Sequence, residues 1–162
     1  MNKQADMRKL LTYATLLYVI GFACCLGITS IQLKDLSAAF QLPASLEGTM
    51  NTMNSIGSVA ALISVLFLQG RIKKHVLMAI SGLLLSGGLL LKGIVPSYGL
   101  ILGVFFLFGI GLGYADCYCN AFIVDLNGAN SGRYLGALHA VSSVGCTLFP
   151  LLITWIRNGQ SW

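Results

Sequence analysis

Asp116 places a carboxylate inside a long apolar run, and Asn120 follows it four positions later. On a helix these two share a face with Gly109 and Gly113, so a small-residue seam leads into a polar patch. An ionisable side chain at the centre of a membrane helix costs about 3 kcal/mol on insertion scales, and it faces a bundle interior or a wet cavity. The chemistry open to such a pair is binding: holding the hydroxyls of a polar solute, or taking up a proton. The plainer alternative is an aspartate satisfied by neighbouring hydroxyls or hydrated near an interface. His139 lies in the next apolar run, on one side with Ser142, Ser143, Cys146 and Pro150. An imidazole can donate, accept or relay a proton near neutral pH, or serve as a hydrogen-bonded packing group. Asn54 shares a stripe with Asn51, Ser55 and Ser58, and Gln32 one with Tyr18, Cys25 and Thr29. Four runs with one polar stripe each predict a polar central path. The candidate substrate- or proton-binding residues are therefore Asp116, Asn120, His139, Asn54 and Gln32.

No bond-making chemistry is legible beside this. There is no nucleotide-binding loop, and Ser142, Ser143 and His139 lack a partner acid, so the chain does not read as an enzyme. No metal or other cofactor is expected. The five cysteines all fall within apolar runs and read as small packing residues. Cys117 and Cys119 lack zinc-ligand spacing and point about 200° apart on a helix.

The elements that must position these residues are five apolar stretches: Leu10–Leu33, Ser45–Gln69, Val76–Val95, Tyr98–Val124 and Gly132–Ile156. Each has about the 20 residues that a bilayer-spanning helix needs. Only 9% of residues are charged and 56% are hydrophobic, with a mean hydropathy of +0.81. Soluble domains carry about 25% charged residues, so the expected fold class is an all-α integral membrane bundle in one domain, with the lipid bilayer as its first partner. Pro43, Pro96 and the polar segment Asn127–Gly132 mark breaks between helices. Pro150 falls inside the fifth helix and Lys92 at the outer end of the third, where it is expected to snorkel to the interface. The pairs Gly109/Gly113, Gly132/Gly136 and Gly57/Ala61 predict close backbone packing.

The net charge of +5 comes from short basic clusters between apolar runs and is no nucleic-acid footprint. Lys3, Arg8, Lys9, Arg71, Lys73, Lys74 and Arg133 fall on one side, against Lys34, Lys92 and Arg157 on the other. By the positive-inside rule the N-terminus is cytoplasmic and the C-terminus is outside, in a multi-pass protein of the cell membrane. The first apolar run is too long for a cleaved signal peptide.

Gly109-Ile-Gly-Leu-Gly-Tyr-Ala-Asp116-Cys-Tyr-Cys-Asn120, then Asp125-Leu126, Leu135-Gly-Ala-Leu-His139 and Gly145 with Pro150, resemble helices four and five of the major facilitator superfamily. They are most similar to the sugar–proton symporter branch that includes fucose permease. Gly21-Phe22 and Phe40-Gln-Leu-Pro fit helix one and the entry to helix two. The superfamily's cytoplasmic loop motif is similar to Leu66–His75, which retains Arg71 and Lys74 but has Leu66, Gly70 and Lys73 where the motif has Gly, Asp and Gly. The resemblance implies a gating loop at Arg71, Lys73 and Lys74, without the motif's acid. No arginine stands near Phe105, where drug–proton antiporters carry one.

Family members resemble twelve-helix proteins built of two six-helix halves around a central site. The resemblance implies that this chain supplies helices one to five of an N-terminal half bundle. The parent would then be a secondary transporter of a small polar solute, a sugar by class, with a proton as candidate coupling ion. The partners implied are that solute and the missing C-terminal half or another copy. An odd helix count is expected of a truncated transporter. The alternatives are a non-transporting membrane scaffold and a self-assembling half-transporter or channel.

Overall fold

Apolar residues without interior breakers make long helices, and the breakers in this chain set where they stop. A computed structural model describes residues 3–159, with the side chains of residues 3–5, 44, 158 and 159 outside the description. Lys3 of the N-terminal basic cluster therefore lies outside the described side chains. The helices are α1 (Lys3–Ala39), α2 (Ala44–Leu68), α3 (Lys74–Ile94), α4 (Tyr98–Asn127) and α5 (Ser131–Gly159). Among the described residues four stretches are long and apolar enough to cross a membrane, and the last, Tyr98–Arg157, contains α4, the turn after it and α5 up to Arg157.

α1 exceeds its expected span at both ends. Its 37 residues reach about 55 Å, beyond the ~30 Å of a hydrocarbon core, because backbone pairing continues through the polar flanks. It ends in a Schellman-type cap. The Gln41 N–H donates to Ala38 O at 3.2 Å and the Leu42 N–H to Ser37 O at 2.9 Å, with Gln41 at φ 51°. Pro43, in extended conformation, then opens α2. The expected loop at Asn127–Gly132 is shorter than a loop. It is one 3-10 turn, Gly128–Asn130, and α5 starts at Ser131.

α4 is the hub. It packs against α2 on one side and α3 on another, while α1 and α5 pack on each other and on α4. Glycines set these distances. A Cβ at Gly113 would lie 2.7 Å from Ser58 O, and one at Gly57 would lie 3.0 Å from the Phe106 carbonyl carbon. The α2–α4 approach is therefore backbone on backbone, as the Gly109/Gly113 and Gly57/Ala61 spacings predict. Gly27 and Gly145 let α1 and α5 close on each other through side chains, those of Pro150 and Ala23. The Gly132/Gly136 pair does not form a seam: nothing lies within 4 Å of a Cβ at either. That pair sits in the first turns of α5, where no neighbouring backbone comes close enough to need it.

Tyr18 ties α1 to α3. Its hydroxyl lies 2.6 Å from Ser81 Oγ and donates to Met78 O at 3.2 Å. Tyr18→Phe is expected to cost about 1 kcal/mol. A thermal melt in detergent would read this as a fall of about 2–4 °C for a chain of this size.

Candidate functional site

The sequence-predicted residues divide between two places. On α4, the Asn120 side-chain amide donates to Asp116 Oδ1 at 3.4 Å. Asp116 is exposed at the bundle surface and Asn120 is half-buried. Gly109, Gly113, Asp116 and Asn120 share the helix face that meets α2, so Asp116 emerges where the seam opens. Asn54 of α2 belongs to the same seam, since its backbone lies against Gly109. The side-chain carbonyls Asn54 Oδ1 and Asn120 Oδ1 are both buried without a hydrogen-bond partner among the described residues. Two acceptors without donors thus flank an exposed carboxylate along one interface. An unpaired buried carbonyl costs about 1–3 kcal/mol.

His139 is exposed on α5 and makes no side-chain hydrogen bond among the described residues. No hydrogen bond joins it to Asp116 or Asn120. Gln32 is not part of the α4 patch. Its amide donates to Leu89 O of α3 at 3.3 Å, and its Oε1 is buried and unpartnered. With Tyr18 and Thr29 it belongs to an α1–α3 seam. The α1 stripe therefore turns into the packed interior toward α3, and the four stripes do not converge on one path.

That seam contains the residue the sequence reading misplaced. Lys92 does not snorkel. It is 1% exposed, and its Nζ donates to Thr29 Oγ1 at 3.1 Å. The ammonium sits 3.4 Å from the centre of the Phe108 ring and 4.2 Å from that of Phe105. Gly88, one turn earlier, makes room for the Phe108 ring, which lies 2.9 Å from where a Cβ would stand. Among the described residues no carboxylate pairs with Lys92; the two ion pairs are Lys74–Asp125 and Arg157–Asp35. A buried cation held by one hydroxyl and two aromatic faces joins α1, α3 and α4 at one point.

At the opposite end of α3, the expected gating-loop residues differ in their surroundings. Lys74 pairs with Asp125 near the end of α4, while Arg71 and Lys73 are exposed. Gly70 adopts φ +81° in the α2–α3 turn, a left-handed backbone that glycine accepts without strain. This conformation suits glycine at the position where the resembled motif carries an acid. Asp125, from another helix, puts a carboxylate at this end.

Comparison with protein-family models, with curated proteins and with solved structures finds no match.

Proposed function

We propose that this chain is the N-terminal part of a secondary transporter of the major-facilitator type. In this reading it crosses the cell membrane five times, with its N-terminus in the cytoplasm, and the complete transporter moves a small polar solute, a sugar by class, with a proton as coupling ion. The observation that carries the reading is the α4 patch. Asp116 presents a carboxylate at the mouth of a close helix–helix seam, held by Asn120, whose own amide carbonyl has no donor among the described residues, and the donor-less carbonyl of Asn54 belongs to the same seam further along, at Gly109. A sugar hydroxyl donates to such carbonyls and to the carboxylate, and protonation of Asp116 removes its charge and one acceptor site. The protonated carboxyl gains a donor for a sugar oxygen, so proton and solute can bind together at one group, which is what symport requires. His139 is the second candidate proton carrier, facing outward from α5.

The test is uptake of labelled sugars, driven by an imposed proton gradient, by the transporter completed with its remaining helices. Asp116→Leu with Asn120→Leu is expected to reduce uptake about a hundredfold or more, given about 1.5–3 kcal/mol for each hydrogen bond to a charged group. Uptake that survives this double replacement sinks the site and favours a membrane scaffold.

A further inference from the structure

A groove on the outer face of α1 and α5 carries a different assignment. It has a volume of about 390 Å³ and is lined by Ile20, Val141, Val144, Leu148 and their neighbours, with no polar surface. Two cations stand in line with its walls. Lys9 precedes Ile20 by eleven residues, and Arg133 precedes Val144 by the same interval. Eleven residues turn a helix by about 1,100°, within about 20° of three full turns, so each cation shares the face of the groove residue above it. The rise is about 16 Å in both cases. That matches one leaflet of a hydrocarbon core about 30 Å thick.

α1 and α5 run side by side in the same direction. Ala23 meets Gly145, Gly27 meets Pro150, and Asp35 pairs with Arg157. Lys9 and Arg133 therefore stand at the same end of the bundle. Both are exposed, and neither is in an ion pair among the described residues. The acids at that end are Asp6 and Asp125, and Asp125 is held by Lys74. Tyr13, 64% exposed, lies on the Lys9–Ile20 face between cation and groove, at the depth where amphipathic rings favour the interface.

We propose that this groove binds an anionic phospholipid of the leaflet at the start of α1. One acyl chain lies along Ile20, Val144 and Leu148, and the headgroup phosphate lies between Lys9 and Arg133. The proposal rests on the placement of the chain in a bilayer and is independent of solute transport. Two cations near an anionic headgroup favour it about fivefold each, or about thirtyfold together.

The experiment uses the full chain in detergent micelles, titrated with dioleoyl phosphatidylglycerol or dioleoyl phosphatidylcholine, with retained lipid counted by native mass spectrometry. The expected result is an approximately thirtyfold preference for the glycerol lipid. Lys9→Gln with Arg133→Gln brings that preference close to unity and leaves choline-lipid retention unchanged. Val144→Trp fills the groove from a position already 56% exposed, and it loses most of the bound lipid of either kind. Equal retention of the two lipids by the unaltered protein overturns the proposal, as does a preference that survives the double replacement. Alkaline carbonate extraction of membranes tests the bilayer placement separately. Release by carbonate defeats that placement, whereas a carbonate-resistant chain without lipid preference defeats this site alone.

Discussion

Gly109→Ala is expected to stop α2 and α4 from closing on each other, while Gly136→Ala does not destabilise the protein. Each glycine belongs to a small-xxx-small pair four residues apart, and both lie inside helices. At Gly109 an added methyl falls inside the contact distance of the Asn54 carbonyl oxygen, 2.8 Å from its carbon and 3.1 Å from Asn54 Cα. These are backbone atoms of a regular helix, so no rotamer change relieves the overlap. The helices must separate instead. Gly57 and Gly113 sit in the same seam and lose contact with it. Helix association in lipid rests on such packing rather than on a hydrophobic drive, so the loss runs along the whole interface. The expected cost is at the upper end of the about 1–3 kcal/mol typical of overpacking, or beyond it. In a detergent melt this is a fall of roughly 10 °C at 2–4 °C per kcal/mol. At Gly136 nothing lies within 4 Å, and the gain in helix propensity, about 1 kcal/mol at most, works in the other direction. Equal melting temperatures for the two variants would mean that the α2–α4 seam is not closed as described.

The contrast between these glycines shows where reading a sequence stops. Spacing identifies a face that can be small; it does not say whether another backbone arrives there. The existence of long apolar helices and their approximate centres were legible, because apolar runs of this length have few alternatives. The extension of α1 to Lys3 and Ala39 was not, since polar flanks continue a helix as readily as they leave it. Asp116 and Asn120 were readable as a pair from their spacing, and they do share a hydrogen bond. The donor-less carbonyls of Asn54 and Asn120 follow only from packing. Gln32 was grouped with Tyr18 and Thr29, with which it does share a seam, but spacing does not decide whether that stripe faces α3 or a central path, and its amide bonds to Leu89 of α3. Lys92 was misread from its distance to the helix end. Its face held the better signal: Leu77, Ser81, Leu85, Gly88 and Lys92 recur at intervals of three and four, and all are buried. A lysine that completes an inward stripe belongs to the interior, whatever its distance from the end.

That position leads to the second large effect. Lys92→Met should stabilise the bundle, and Lys92→Ala should destabilise it. An ammonium taken fully out of water carries a desolvation penalty of several kcal/mol. Against this stand one hydrogen bond to Thr29, about 1.5–3 kcal/mol for a charged donor, and two ring faces, about 2 kcal/mol each when desolvated. These terms are of similar size, so the charge adds little net stability. Methionine keeps the unbranched stem and fills most of the same space, and its sulfur remains favourable against Phe105 and Phe108. It also removes the ion from the interior. Replacement of buried ionic groups by apolar ones of similar volume is worth up to about 1–4 kcal/mol, which predicts a rise of about 3–10 °C in the detergent melt. Alanine removes the charge too but leaves a void under both rings, and the loss of about 2–5 kcal/mol for emptying a packed site lowers the melting temperature. Thr29, left without its donor, can still give its own hydroxyl proton to Cys25 O at 2.8 Å, so neither variant strands it. Opposite signs for the two variants mark Lys92 as a cation whose charge is held at little benefit to the fold. If methionine instead lowers the melting temperature as far as alanine does, the ammonium contacts outweigh desolvation, and Lys92 is a structural tie between α1, α3 and α4.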